Sequence, residues 1–184
     1  MTNWNHMGRI RVVVALQFYF FLYTEIMQSS QNIWMKGEWF FTVRDIHTWM
    51  EKYFHDYNII PTVAKTAFAA QIAWDNTTDI WDNLYIALGS STTAPAAWDT
   101  QLWTEVTRKA ASSTTFSGAI GYVSAFFAAW EATWTHREFW LFGNWNTTTC
   151  SAIANSGILF SHVATNITVS ATETLTCTFQ ITFS

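Results

Sequence analysis

Residues 173–183, ETLTCTFQITF, alternate strictly between two kinds of side chain. The apolar residues are spaced two apart: Leu175, Cys177, Phe179, Ile181 and Phe183. Four threonines and one glutamine stand between and before them. Successive side chains of a β-strand point to opposite faces of the sheet, so this alternation predicts a strand with one buried face. We expect the polar face to be wet or to contact a neighbouring subunit.

Similar strand-forming runs precede this one at short, regular spacing. They cover residues 39–45, 50–57, 84–89, 105–109, 120–128, 135–143 and 157–164. The link at 46–49 has the length of a hairpin loop. Residues 61–73 form the one predicted helix, which has a proline in its first turn. Many short strands separated by turn residues predict a mainly β fold, either an antiparallel β-sandwich or a jelly-roll-like barrel, with one helix.

Composition narrows the class of protein further. Half of the 184 residues are apolar and only 12% are charged, which excludes a disordered chain. The net charge of −4 excludes a basic nucleic-acid binder, so no nucleic-acid partner is expected. The length suits one domain.

Residues 1–34 form a distinct apolar segment ahead of the single β-rich domain predicted for residues 35–184. Residues 10–27 have the basic start and apolar run of a signal peptide, but no small-residue cleavage site follows. One Gln and one Glu interrupt the run, which is then shorter than the roughly 20 residues of a membrane span. The segment is either a signal or anchor, or a stretch that the mature protein lacks. In the second case the chain would begin at Met35, and a membrane partner is not expected.

Residues with catalytic or metal-binding spacing are scarce. The five histidines do not fall in a metal-ligand pattern, and no phosphate loop, dinucleotide fingerprint or nucleophile elbow occurs. On a strand, His136 and Glu138 would share one face with Arg137 opposite, which indicates a solvated face or subunit contact rather than an acid–base pair. Cys150 and Cys177 are expected to be buried or half-buried thiols on strands, able to form a disulfide only if those strands are neighbours. We therefore predict no enzymatic activity, no metal and no cofactor.

Residues 84–109, LYIALGSSTTAPAAWDTQLWTEVTRK, resemble a recurrent stretch in virion structural proteins of tailed bacteriophages. In that family an IALG strand leads through a small-residue TTAPA loop to a DT.L..E..RK sequence. The Thr-alternating strand at 173–183 is similar to the end of family members, and 43–73 is similar to a hairpin followed by a helix. The resemblance covers about residues 38–184. It implies a virion component assembled in many copies, and it supplies no catalytic residues.

Tryptophan stands where that family pattern usually has glycine at three positions: Trp49, Trp81 and Trp103. Six further tryptophans lie next to turn residues or small-residue runs: Trp74, Trp98, Trp130, Trp134, Trp140 and Trp145. Glycine adopts a positive φ without steric cost, whereas tryptophan does not. Our hypothesis is that many of these nine codons are UGA, read here as Trp but as Gly in the natural host. Glycine at all nine would change the composition from 12 Trp and 7 Gly to 3 Trp and 16 Gly, closer to the usual glycine content of roughly 7%.

The sequence predicts a non-enzymatic structural component of a tailed-phage virion, located in the tail, baseplate, fibre or capsid surface. Its partners would be other copies of itself and other virion proteins. The candidate subunit-contact residues are aromatic: Trp39, Phe41, Phe126, Phe127 and Phe139. The alternative is a carbohydrate-binding or receptor-binding β-sandwich module that contacts a host-surface glycan, because exposed aromatic rings stack on sugars.

Overall fold

The computed structural model describes residues 35–72, 82–145 and 148–184. The predictions for residues 1–34, including the signal, anchor and late-start alternatives, lie outside these residues. Trp74 and Trp81 lie outside them too. Within the described ranges, no helix has both the length and the apolar character needed to cross a membrane.

The described chain forms nine strands and one helix. In chain order they are β1 Met35–Asp45, β2 Glu51–Tyr57, α1 Thr62–Ile72, β3 Tyr85–Gly89, β4 Glu105–Ala110, β5 Ser113–Ser117, β6 Ile120–Phe127, β7 Trp134–Gly143, β8 Ile158–Val169 and β9 Glu173–Phe183. The strands build two antiparallel sheets, ordered β2-β1-β9-β6-β5 and β4-β3-β7-β8. The predicted fold class, a mainly β sandwich with one helix, is confirmed.

Strand β9 occupies the middle of the five-stranded sheet, between β1 and β6. Its burial alternates as the sequence predicts, with Leu175, Cys177, Phe179 and Ile181 at most 1% exposed. The β1–β9 ladder runs in register from Met35 opposite Phe183 to Asp45 opposite Glu173. This long, regular pairing places the apolar faces of β1 and β9 side by side.

The two sheets pack on each other through aromatic rings. Trp39 and Phe41 of β1 stack with ring centroids 5.7 Å apart, and Phe41 meets Phe139 of β7 at 4.4 Å. Phe179 of β9 lies 5.6 Å from Trp39. Helix α1 packs on β8, where Phe68 contacts Phe160. Full burial of one such ring contributes about 2–3 kcal/mol, so this cluster is the main source of cohesion between the sheets.

Two details of the sheets differ from expectation. Strand β5 was not predicted, because SSTTFS has no apolar alternation and reads as a loop. Strand β7 has a register shift between His136 and Glu138. The bulge sends these two side chains to different sides of the sheet, where both are fully buried. The prediction that they share a solvated face or subunit contact was wrong.

Three tryptophans hold a backbone conformation that favours glycine. Trp49 has φ 59°, Trp130 has φ 72° and Trp134 has φ 148°. The only other non-glycine residues of the described ranges with positive φ are asparagines, Asn83 and Asn155, a residue type that tolerates this region. The three indole side chains are 70–74% exposed, so burial does not compensate the strain.

The hydrogen bonds of the turn around Trp49 show why this position has a positive φ. The Asp45 carboxylate accepts hydrogen bonds from the backbone N–H groups of His47 (2.9 Å) and Thr48 (2.8 Å). The Trp49 N–H donates to the Asp45 carbonyl at 3.0 Å, and the hairpin then closes with the Asp45 N–H on Met50. The residue that closes such a turn adopts a left-handed conformation, which costs most residues roughly 1–2 kcal/mol. These φ angles support the glycine hypothesis at positions 49, 130 and 134.

The other positions in the set behave differently. Trp98 and Trp103 are 82% and 66% exposed without a positive φ. Trp145 is half-buried. Trp140 does not border a turn: it lies inside β7 and is fully buried.

Substituting Trp49→Gly or Trp130→Gly should stabilise the fold. We expect each change to raise the free energy of unfolding by about 1 kcal/mol, because it removes backbone strain without removing a packed side chain. Chemical denaturation followed by circular dichroism measures this. Trp98→Gly is the matched control, since it deletes an equally exposed indole at an ordinary φ and should destabilise slightly. Equal losses in all three variants would contradict the strain argument.

Candidate functional site

Four of the five candidate subunit-contact residues belong to the interior of this chain. Trp39, Phe41, Phe127 and Phe139 are at most 1% exposed. Their alternation marks the faces that the two sheets turn toward each other, so they cannot contact another subunit. Phe126 alone is on the surface, 45% exposed. Its side chain is on the outer face of the five-stranded sheet, opposite Thr176 of β9.

The other face of the four-stranded sheet carries a buried cluster of ionisable side chains. His162 Nδ1 lies 2.8 Å from the Asp99 carboxylate, and His162 Nε2 lies 3.9 Å from Glu138 Oε1. The Trp140 ring lies over the imidazole with centroids 3.9 Å apart. His162, Glu138 and Trp140 are 0% exposed and Asp99 is 8% exposed. Sequence reasoning missed this cluster, because its members are separated by up to 63 residues.

Three segments of the chain bring these side chains together. Pairing of β7 with β8 sets Trp140 opposite His162. The loop at 90–104 crosses the face of the sheet and supplies Asp99, whose carboxylate also accepts the Ala96 N–H at 2.7 Å. The backbone of Ile59 exchanges two hydrogen bonds with that of His162, which fixes β8 from its other side. Asp99 therefore ties the loop to the sheet.

Burial of the cluster disfavours the charged forms of Glu138 and His162. Burial raises the pKa of Glu138 to about 7, and the nearby Asp99 charge adds to the effect. Neither carboxylate oxygen makes a well-formed hydrogen bond within the described residues, although the backbone at Ser91 and Thr104 partly favours the charged form. Burial likewise lowers the pKa of His162, and the hydrogen bond that its Nδ1–H donates to the Asp99 carboxylate partly opposes this.

Close packing seals the cluster from solvent. A Cβ atom built on Gly89 would lie 2.6 Å from Glu138 Oε2 and 2.5 Å from a methyl group of Leu102. Glycine is required here because the loop and the carboxylate approach the strand so closely. The three ionisable groups are covered, and through Asp99 they hold the loop on the sheet. In the part of the chain that the structure describes, no group of three His, Cys, Asp or Glu side chains is placed to hold a metal ion.

A second buried ion pair fixes the other loop on this face. Arg108 and Glu105 of β4 are bonded to each other, with side chains only 3% and 4% exposed. Arg108 also donates to the carbonyls of Ser151 (3.0 Å) and Ser156 (3.1 Å). Glu105 in turn accepts the Asn155 N–H at 2.9 Å. The pair satisfies its hydrogen bonds within the chain, as a buried pair must.

Both cysteines are buried thiols without a disulfide, in agreement with the prediction of buried or half-buried thiols. Cys177 lies on β9, whereas Cys150 lies in the loop that follows β7. Burial raises the pKa of Cys150 to about 11. Burial also raises the pKa of Cys177 well above its usual value. Neither thiol has the lowered pKa of a reactive cysteine.

The outer face of the five-stranded sheet carries several exposed aromatic side chains. Tyr53 and Tyr57 of β2 are 71% and 60% exposed. Several ring faces on this surface are already covered. The His55 ring stacks on Phe40 with ring centroids 4.6 Å apart, and Lys36 Nζ lies 4.7 Å from the centroid of the Tyr57 ring. The threonines of β9 line the middle of the face. This surface offers ring edges and hydroxyl groups more than open ring faces.

Comparison with protein-family models, with curated proteins and with solved structures identifies no match for this chain. The geometry and the sequence therefore carry the functional argument.

The raised pKa of Glu138 should make stability fall as the pH rises. The folded state binds this proton up to about pH 7, whereas the unfolded carboxyl releases it near 4.5, so the free energy of unfolding drops between these values. Glu138→Gln removes the effect. We expect the variant to lose less stability than the wild type between about pH 5 and pH 8, by up to about 3 kcal/mol. Urea denaturation at a series of pH values measures the difference.

Two features keep this test specific. His136 and His162 act in the opposite sense, because burial lowers their pKa values and stability is lost as the pH falls below about 6.5. His136 is unchanged in the variant, so its contribution cancels in the comparison. His162 lies 3.9 Å from Glu138, so His162→Gln is combined with each chain to remove its titration from the comparison. Glu131→Gln is the control: the pKa of Glu131 is lowered by Lys109, so its effect is confined to acid pH. Parallel pH profiles for wild type and Glu138→Gln would show that Glu138 is not buried as described.

Proposed function

We propose that this protein is a non-enzymatic structural component of a tailed-phage virion, assembled in multiple copies in the tail, baseplate, fibre or capsid surface. The resemblance of residues 84–109 and of the C-terminal strand to such proteins is the starting point. The aromatic core side chains of this β-sandwich are buried against one another within one chain. Such a domain suits a rigid building unit. Its contacts with neighbours then fall to the outer sheet faces and the sheet edges.

The observation that carries the proposal is how the resembling stretch uses its charged groups. It contains four charged side chains, and all are paired within the chain: Asp99, Glu105, Arg108 and Lys109. Lys109 contacts Glu131 on the loop before β7. Each pair locks a loop onto the four-stranded sheet. Residues used in this way serve shape and rigidity, which is what an assembly unit needs.

Purified phage particles from the natural host should contain this chain. We expect mass spectrometry of density-purified particles to detect its tryptic peptides in amounts comparable to other multi-copy virion proteins. The peptide of residues 45–52, bounded by Arg44 and Lys52, also reports position 49, where we expect glycine. Detection in infected-cell lysate but not in particles would overturn the virion proposal. Tryptophan at position 49 would overturn only the codon hypothesis.

A glycan-binding or receptor-binding module is the second candidate. The observation in its favour is that five tryptophans expose 66–82% of their side chains: Trp49, Trp98, Trp103, Trp130 and Trp134. Exposed indoles are effective stacking surfaces for sugars. Three of the five hold a positive φ, however, and this candidate is lost wherever the native residue is glycine.

A glycan array separates the two candidates. We expect the chain to bind no glycan, because its exposed indoles lie in turns and the polar groups needed to fix sugar hydroxyls are not gathered around them. Binding that is lost in Trp98→Ala or Trp103→Ala would instead favour the second candidate. Tyr53→Ala is the control, since Tyr53 is an aromatic residue that is 71% exposed on β2.

A further inference from the structure

The two open sheets have four edge strands, β2 and β5 in one and β4 and β8 in the other. An edge strand exposes unpaired N–H and C=O groups, and proteins block such edges with charges, bulges or covering segments. Strand β2 carries Glu51, Lys52 and Asp56, and β4 carries both members of the Glu105–Arg108 pair. Strand β8 is bonded on its free side by Ile59, whose backbone exchanges two hydrogen bonds with that of His162.

Among the residues that the structure describes, none gives strand β5 such protection. Its sequence, Ser113–Ser117 STTFS, contains no charge and no proline, and all five residues are exposed. The β5–β6 ladder runs without a register shift. Residues 110–130 contain no charged side chain at all. A straight, uncharged edge of this kind is open to pairing with another strand.

An apolar groove of about 390 Å³ lies directly beside this edge. It is lined chiefly by Leu84, Phe116, Val123, Ile181 and Phe183. The groove exists partly because Gly121, which lies opposite Phe116 in the ladder, has no side chain to fill it. Phe116 borders the groove and is 84% exposed, the highest value among the large apolar side chains described.

We propose that β5 is a self-association edge, which pairs antiparallel with β5 of a second copy and joins two five-stranded sheets into one. A second copy is the occupant that the charges favour. A twofold axis through the middle of β5 would set the central residue opposite its own counterpart and its neighbours opposite each other, so charges of one sign on this edge would repel, and β5 carries none. The proposal rests on the proposed function only in requiring that copies of the chain associate.

Pairing in register about Thr115 explains the exposed phenylalanine. Side chains directly opposite each other in a ladder lie on the same face. Phe116 would then face Thr114 of the second copy, on the side where that copy has its groove. The two phenyl rings would enter the two grooves symmetrically. Five paired residues alone make a small interface, and this apolar contact supplies the additional buried surface that a specific interface requires.

The test uses the full chain in analytical ultracentrifugation at up to roughly 100 µM, because small interfaces bind weakly. We expect a monomer–dimer equilibrium, and we expect Phe116→Lys to shift it to monomer by at least about tenfold in Kd. The side chain is exposed in the single chain, so the variant should fold with an unchanged circular dichroism spectrum. Tyr53→Lys is the matched control: it adds the same charge in place of an exposed aromatic on edge β2, and it should leave the dimer intact.

Thr115→Cys gives an independent readout, because both native cysteines are buried and unreactive. Mild oxidation should link two copies through position 115, and Tyr53→Cys should not form a comparable dimer. A wild-type chain that stays monomeric, or a dimer that resists Phe116→Lys, would overturn the β5 proposal. Neither result touches the virion proposal, which depends on whether the chain is present in purified particles.

Discussion

The contact between Phe41 and Phe139, with ring centroids 4.4 Å apart, joins the two sheets, and the rest of the structure depends on it. Trp39 and Phe179 extend this contact along β1 and β9. For these rings to meet, every strand must turn its apolar face inward, which fixes the register of the ladders, since a slip of one residue would turn those rings to solvent. The outer face of the five-stranded sheet and the sheet edges remain exposed, and function has to be sought there or in the loops.

A second constraint acts on the outer face of the four-stranded sheet. That face is apolar as well, with Trp140 and Leu159 buried on it, so loops must cover it. A loop held over a sheet brings polar backbone with it, and such groups are costly to bury unless paired. Asp99 and Arg108 provide that pairing, each contacting a segment distant in the chain. The stretch that resembles phage proteins is therefore understandable as a strand, a fastened loop and a second strand, in which polar residues maintain shape.

Alternation and strand-forming residues made eight of the nine described strands predictable from sequence, and β9 shows this best. Helical spacing behind a proline predicted the helix. Alternation identifies which residues share a face but not what covers that face, which is why Trp39 and Phe139 were expected at a subunit contact and are found in the core. The β7 bulge leaves no trace in the residue pattern, so the burial of Glu138 could not be foreseen. The His162 cluster depends on contacts across 63 residues, which spacing along the chain does not reveal.

Low charge has a consequence for how such a chain can assemble. With 12% charged residues, general repulsion between copies is weak, so unwanted pairing must be prevented locally. Three of the seven residues of β2 are formally charged, as are three of the six in β4, whereas β5 has none in five. Edge strand β8 has none in twelve either, but the backbone of Ile59 is bonded to it at His162. Charge on two edges and a bonded segment on the third leave β5 as the edge at which our proposal places association between copies.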